Sequence, residues 1–443
     1  MRVGTPRFRV GTPPFGVRLA YGKSGLWINL PDAWGAEVVE PRFVPGLANP
    51  CLAIAEALRN PIGAAPLCEI AKPSDRVGVV FSDITRPTPN RLILPRVLEA
   101  LAHLPKHNVT LFNALGTHRP NTVRELCGML GDDIVAEYRI VQNDAFDPAT
   151  QVCVGRSSRG HEIWLNRELM ACDAIVLTGF IEPHFFAGFS GGGKAIMPGM
   201  AGQRTVLGNH DAAMIGNPKA AWGITRGNPI WEEIREVASV YRGRCPEGGT
   251  TFLLNVTLNR DKQVTGVFSG DLDEAHYAGC EFARTTAMVA VPRPFDIVVS
   301  TNSGYPLDQN LYQSVKGISA AAQVVRDGGA IIIATECRDG VPDHGLYGRL
   351  LSEAGSPQAV LDTVRSPGFL RQDQWQVQIQ AQIQLRADVH VYSDHLTDEQ
   401  IRAALLKPCR SIEQTIAALR ERHGPGAALC VLPEGPQTIP YVE

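Results

Sequence analysis

The sequence predicts an α/β fold: two α/β domains with mostly parallel sheets and a ligand cleft between them. Three observations carry this expectation. Short apolar, β-branched runs alternate with amphipathic stretches, the rhythm of β–α–β units whose sheet is covered on both faces. That rhythm runs twice, with Val291-Pro-Arg-Pro294 punctuating the chain between the two series. The length of 443 residues, 44% of them hydrophobic, suits two or three domains at roughly 100–200 residues each.

The elements follow in order. Residues 1–16 are read as a disordered extension. They hold Arg2, Arg7 and Arg9 among prolines, with no apolar stretch for a signal peptide, and the Val-Gly-Thr-Pro at Val3 recurs at Val10. Arg76–Ser82 reads as a buried strand, and Pro89–Leu104 as a helix with Leu92, Leu94, Val97, Leu98 and Leu101 near helical spacing. Val109–Leu115 is the next strand and Pro120–Leu130 the next helix, Pro120 suiting a first turn. Asp173–Gly179 and Phe252–Leu258 complete the first series of strands. A long helix spans Asp271–Val289. The second series then runs strand Asp296–Thr301, helix Leu311–Val325, strand Gly329–Thr335, strand Ala387–Tyr392, helix Ser411–Arg422 and strand Ala427–Leu432. The boundary is expected near residues 270–295. It divides an N-terminal catalytic and cofactor-binding domain, 17–275, from a C-terminal domain, 276–443.

Composition excludes several classes. Lys and Arg total 42 against 45 Asp and Glu, a formal net charge of −3, without the basic excess of a nucleic-acid protein. No apolar run approaches the roughly 18–20 residues that span a bilayer. Ten scattered cysteines without a C-x-x-C pair read as reduced thiols of a cytoplasmic protein.

Open α/β sheets bind ligands at the carboxyl ends of their strands. Three strands run into polar loops there: Ser82-Asp-Ile-Thr-Arg-Pro87, Gly116-Thr-His-Arg-Pro120, and the long Gly179–Lys194 segment. The last contains Gly188-Phe-Ser-Gly-Gly-Gly-Lys194, which satisfies G-x-x-x-x-G-K. Ala195 stands where a P-loop needs Ser or Thr for magnesium, so an ordinary nucleotide hydrolase is rejected. Gly191–Gly193 could still let backbone N–H groups approach an anion, with Lys194 aimed at a bound group, the alternative being a flexible loop. Of the 11 histidines, His118, His184 and His210 stand in glycine- or proline-framed loops. His276, His395 and His423 read as surface residues, and His161 has no supporting context. No H-x-x-x-H or H-E-x-x-H spacing occurs, so a bound metal would have few protein ligands and take the rest from a cofactor.

These loops also carry a resemblance. Asp83-Ile-Thr-Arg-Pro87, Gly116-Thr-His-Arg-Pro120 and Glu182-Pro-His-Phe-Phe-Ala-Gly-Phe-Ser-Gly-Gly-Gly-Lys194 resemble the signature blocks of the lactate racemase family. The likeness runs from about Leu19-Ala-Tyr-Gly-Lys23 to about residue 430 and includes Asn60-Pro-Ile-Gly63. It implies a nickel-pincer nucleotide as cofactor, a pyridinium mononucleotide binding Ni through sulfur, carbon and sulfur. Lys194 matches the lysine that holds this cofactor, covalently in some members. His210, in Leu207-Gly-Asn-His-Asp211, matches the histidine that completes nickel coordination. His118 and His184 match the acid–base pair. Asp83, Ile84, Thr85 and Arg86 match the cofactor-contacting loop, with Arg86 also addressing the substrate. Gln313 and Lys316, in Leu311-Tyr-Gln-Ser-Val-Lys-Gly317, match substrate-contacting residues.

The implied reaction is racemisation or epimerisation of a small-molecule 2-hydroxy acid by proton-coupled hydride transfer, with cofactor-making enzymes as partners. The residue types agree. A carbanion beside a carboxylate is poorly stabilised, and no side chain accepts hydride, so a cofactor must. Two further readings stay open: net redox or elimination at the same site, and a non-catalytic carrier of cofactor or nickel. Lactate, malate, aryl-lactates and sugar acids all remain candidate substrates. Tyr305–Asp308 and Arg338–Val341 are candidate pocket-lining segments, with plain loop structure as the alternative. The sequence does not set the oligomeric state.

Overall fold

The computed structural model describes residues 15–242, 250–343 and 345–443. The chain forms two compact units. One comprises residues 43–286, and the other joins the described residues up to 42 with 287–443. Most of the expected N-terminal extension lies outside the described residues, but Phe15 and Gly16 already belong to the first strand.

The N-terminal segment corrects the expected domain plan. Strands β1 (Phe15–Leu19) and β2 (Leu26–Leu30) form an antiparallel hairpin, and β3 (Glu37–Val38) follows. Val17, Leu19, Ile28 and Leu30 alternate with exposed residues, giving the hairpin one apolar face. That face is buried with Ile297, Val299, Ile332 and Leu429 of the C-terminal half. Residues 17–42 thus belong with 287–443, not with the first domain. Gly22 N–H also donates to the Asp308 carboxylate at 2.7 Å.

In the 43–286 unit, α1 (Pro50–Arg59) precedes β4 (Val77–Ser82), α2 (Asn90–Ala100), β5 (Val109–Ala114), α3 (Val123–Leu130), α4 (Asp132–Glu137) and β6 (Arg139–Gln142). An antiparallel pair, β7 (Gln151–Arg156) and β8 (Glu162–Asn166), leads to β9 (Ala174–Phe180). Two short strands, β10 (Pro183–His184) and β11 (Gly188–Phe189), precede α5 (Gln203–Asn209), α6 (Ala212–Ile215) and α7 (Pro229–Arg242). Strands β12 (Thr250–Leu258) and β13 (Val264–Gly270) and helix α8 (Leu272–Ala287) end the unit. The sheet order is β13-β12-β9-β4-β5-β6, parallel except for β13. Val77, Val79, Val80 and Phe81 of β4 are fully buried, as expected for a strand covered on both faces. From β4 the chain steps outward to β5 and β6, then returns to place β9 on the other side of β4. The carboxyl end of β4 is therefore the switch point where such sheets open a crevice.

Helix ends differ from the periodicity reading for local reasons. Helix α2 stops at Ala100, because Leu101 to Leu104 tighten into a turn with Ala102 N–H on Glu99 O and Leu104 N–H on Leu101 O. Helix α3 starts at Val123, since the Thr122 hydroxyl and the Glu125 carboxylate form a capping box that leaves Pro120 outside. The tail expected on α8 is instead β14 (Met288–Val291).

The other unit continues through β15 (Phe295–Thr301), α9 (Leu311–Ala321), β16 (Val325–Ala334), α10 (Tyr347–Ala354), α11 (Pro357–Val364), α12 (Gln374–Gln384) and β17 (Asp388–Tyr392). It ends with α13 (Asp398–Ala403), β18 (Lys407–Pro408), α14 (Ile412–His423), β19 (Leu429–Leu432) and β20 (Ile439–Val442). Its sheet, β18-β17-β16-β15-β19-β3, is parallel throughout. Helix α12 reads Gln-Trp-Gln-Val-Gln-Ile-Gln-Ala-Gln-Ile-Gln, with Gln374, Gln376, Gln378 and Gln380 all buried. Gln376 Nε2 donates to Tyr312 O and Gln380 Nε2 to Ala404 O, so these amides tie α12 to its neighbours. Among the described residues, no helix is long and apolar enough to cross a membrane.

Candidate active site

The loops singled out in the sequence leave the carboxyl ends of β5, β4 and β9, three adjacent strands. Asp83 follows β4 and is 3% exposed. Its carboxylate accepts from Thr85 Oγ1 at 2.9 and 3.0 Å and from His118 Nδ1 at 2.9 Å. Burial alone would raise this carboxyl's pKa. The hydrogen bond and charge of His118, the Arg86 charge and the Thr85 hydroxyl outweigh it and hold the pKa below the usual range. An ionised carboxylate only accepts, so His118 Nδ1 carries a proton and donates it to Asp83. Arg86 N–H closes the loop on Asp83 O at 3.1 Å, and Ile84 is exposed.

His184 is held the opposite way. It sits in β10, and the β10–β11 hairpin turns the Ala187 N–H onto its Nδ1 at 3.2 Å. An Nδ1 that accepts carries no proton, so the neutral ring has its proton on Nε2. The two candidate acid–base imidazoles are thus fixed in opposite tautomers by their neighbours.

Phe186 joins the remaining residues. Its ring lies edge-on to His184 at 4.5 Å and to His210 at 4.9 Å, and the Lys194 Nζ stands 5.6 Å from its centroid. His210 caps the end of α5, with its N–H on Val206 O, and is almost wholly buried. Burial first, and the Lys194 charge second, push its pKa down to about 3. Its imidazole is therefore neutral at physiological pH, the form a metal ligand needs.

The Gly-rich stretch is built differently from the expected anion cradle. Gly192 N–H donates to Asn255 Oδ1 at 2.8 Å, and Lys194 N–H to Gly191 O. Gly191 has φ +75°, and a Cβ there would fall 2.4 Å from Asn255 Oδ1. A Cβ on Gly192 would fall 2.6 Å from the His276 ring. These glycines are small because protein packs against them. His276 is accordingly no surface residue: it is 1% exposed, stacks on Trp231 at 4.6 Å and bonds Ser190 O through Nε2. Arg119 is likewise occupied, forming a bidentate pair with Glu125 at 2.9 and 2.7 Å.

The structure brings Asp83, Thr85 and His118 into one set, with Arg86 in the same turn. His184, Lys194 and His210 form another set around Phe186. Gln313 and Lys316 lie in the other unit, half-buried and one turn apart on α9, whose first turn is capped by Asn310 Oδ1 accepting from Gln313 N at 3.0 Å. Of the candidate lining segments, Tyr305 is exposed, but Asp308 is fully buried and serves the Gly22 and Glu336 amides. Sequence reasoning assigned no role to Phe186 and did not see that Asp83 orients His118. It also set aside His161, whose partner Glu233 lies 72 residues away with no motif to announce it.

A doubly wound sheet with an Asp-oriented histidine, a second histidine that accepts from a backbone amide and a buried neutral imidazole near a lysine defines an enzyme-like site. The comparisons are specific. The lactate racemase N-terminal domain model matches residues 21–223, and the lactate racemase C-terminal domain model matches 291–439. The lactate racemase of Thermoanaerobacterium thermosaccharolyticum is 34% identical over 429 residues, covering 96% of this chain and 98% of its own. That of Lactiplantibacillus plantarum is 35% identical over 385 residues, covering 86% and 89%. The Thermoanaerobacterium apoprotein structure superposes with a TM-score of 0.89 at 33% identity, covering 96% of this chain and all of its own. A Thermotoga maritima protein shares the fold at a TM-score of 0.70 and 19% identity, covering 90% of this chain. The chain belongs to the lactate racemase family.

Proposed function

We propose that the protein is a racemase or epimerase of a 2-hydroxy acid that works with a nickel-pincer nucleotide. The observation that carries this reading is the two histidines held through Nδ1 in opposite senses, His118 donating to Asp83 and His184 accepting from the Ala187 amide. The residues present fit the cofactor. His210 offers a neutral, buried nitrogen donor, and the Lys194 amine stands over the same phenylalanine ring. When bound, the cofactor would supply the hydride acceptor that no side chain provides.

The chain's own residues do the rest. Lys194 and His210 hold the cofactor, with Asp83, Ile84, Thr85 and Arg86 beside it. His118 Nε2 takes the hydroxyl proton as the α C–H bond breaks, and Asp83 balances the imidazolium that forms. The substrate becomes a planar 2-keto acid, open to return of hydrogen on either face. Protonated His184 then gives a proton to the oxygen of the other enantiomer. In the reverse direction the roles exchange: His184 takes the hydroxyl proton and His118 gives one back, and whenever the His184 ring is protonated its Nδ1 no longer accepts from the Ala187 amide. Arg86 holds the substrate carboxylate with two parallel hydrogen bonds, and Gln313 and Lys316 of the other unit are the further substrate-contacting residues that the family resemblance implies.

The test is to load the protein with the nickel-pincer nucleotide, confirm nickel by elemental analysis, and follow chiral conversion of D- and L-2-hydroxy acids. A near-equal mixture of enantiomers is expected, with α-deuterium retained on the same carbon. Release of keto acid in proportion to turnover would refute racemisation in favour of net oxidation.

A further inference from the structure

His210 lies at a junction that its own helices are too short to hold. Helix α5 has seven residues and α6 four, and a helix of one or two turns has no stability of its own in water. The anchoring comes from outside. Glu233 of α7 is 2% exposed, yet both its oxygens are used. Oε1 accepts from His161 Nδ1 at 2.8 Å and from Ser157 Oγ, and Oε2 accepts from Asn209 Nδ2 at 2.8 Å. His161 Nε2 reaches Asp211 Oδ2 at 3.4 Å. Asp211 Oδ1 in turn accepts from Met214 N–H at 2.7 Å and caps α6. The His161 side chain also packs against Gly208, where a Cβ would fall 2.9 Å from its Cγ. Residues 208, 209 and 211 are therefore all contacted by one pair, the half-buried His161 and the buried Glu233.

We infer that His161 and Glu233 are positioning residues for His210, clamping the chain on both sides of it so that its imidazole meets nickel in one fixed orientation. This rests on the assignment of His210 as the nickel ligand. A carboxylate buried this deeply destabilises the fold unless its lone pairs are met, and here they are met by Asn209 at the end of α5 and by Ser157 and His161 of the β7–β8 turn, the same His161 that reaches Asp211. The pair touches neither substrate nor nickel and acts through the backbone. Outer partners of this kind are worth roughly 10–100-fold in metal affinity.

Four proteins decide it: the wild type, Glu233→Gln, Asp211→Asn and His210→Ala. Each is loaded with the nickel-pincer nucleotide. Nickel retained through gel filtration and its release rate to a chelator are measured, with the melting temperature of each apoprotein alongside. Glu233→Gln is expected to stay folded as apoprotein and to release nickel roughly 10–100-fold faster than the wild type. Asp211→Asn keeps an oxygen to cap α6 while weakening the His161 contact, so it should accelerate release in the same direction. If Glu233→Gln does not fold, Asp211→Asn decides alone. Wild-type release rates in folded variants, with His210→Ala retaining no nickel, overturn the positioning role and leave the ligand assignment standing. Nickel retained by His210→Ala as well as by the wild type overturns the ligand assignment itself.

Discussion

Raising the pH from about 7 to about 9.5 should destabilise the 43–286 unit through one residue, His161. Hydrogen bonds to Asp211 and Glu233 outweigh its burial and raise its pKa from 6.5 to about 9. A folded-state pKa above the unfolded one gives stability that is complete below about 6.5 and is lost as pH rises through about 9. At 1.36 kcal/mol per unit, the shift amounts to about 3 kcal/mol in full, of which about 2 kcal/mol disappears between about pH 7 and pH 9.5. The lowered pKa values of Glu233 and Asp211 describe the same contacts from the other side, so the energy is counted once, on the histidine. For a unit of this size, about 2 kcal/mol corresponds to roughly 4–8 °C in melting temperature. The assay is thermal melting by circular dichroism at both pH values for the wild-type apoprotein and His161→Gln. Other groups that titrate in this window are shared, so the difference between the two proteins isolates His161. The wild type should lose roughly 4–8 °C more than the variant. Equal losses, or a His161 ring proton titrating near its ordinary value by NMR, would refute the reasoning.

Three further outcomes are expected. Asp83→Asn should keep the fold but lower kcat by roughly 10²–10⁴-fold, because a carboxamide neither fixes the Nδ1–H tautomer of His118 nor balances its imidazolium; steady-state rates of the loaded enzyme with both enantiomers test this. Gly192→Ala should lower the apoprotein's melting temperature, since the new methyl meets the buried His276 ring where φ is +56°, and should cost about 1–3 kcal/mol in denaturant titration. Thr122→Ala removes the hydroxyl half of the α3 capping box and should cost about 1 kcal/mol without slowing the loaded enzyme, as a control for local destabilisation.

Much of this was legible in the chain. Strands β4, β5, β9, β15, β16 and β19 stand out as apolar β-branched runs because a parallel strand buried on both faces admits little else. The loops after β4, β5 and β9 could be read from their His, Arg and Lys residues set among Gly and Pro. What escaped reading has physical reasons. The β1–β2 hairpin is amphipathic in the ordinary way, and nothing local says that its apolar face belongs against Ile297 and Leu429, more than two hundred residues away. The alternating glutamines of α12 have a strand-like period, yet the segment is a helix whose amides are satisfied by neighbouring carbonyls. His276 has charged and polar neighbours in sequence, but one face of α8 turns it into the core. His161 and Glu233 carry opposite charges in separate elements, and only the folded chain makes them a pair.

The opposite tautomers of His118 and His184 bear on how the kinetics must look. Mirror-image acids have the same free energy in water, so for a true racemase the forward and reverse kcat/KM must be equal at every pH, however unlike the two imidazoles are. The difference between a histidine braced by a carboxylate and one that accepts from a backbone amide has only one place to show itself. It must divide between turnover and saturation, giving the two enantiomers separate kcat and separate KM values whose pH profiles shift together and cancel in the ratio.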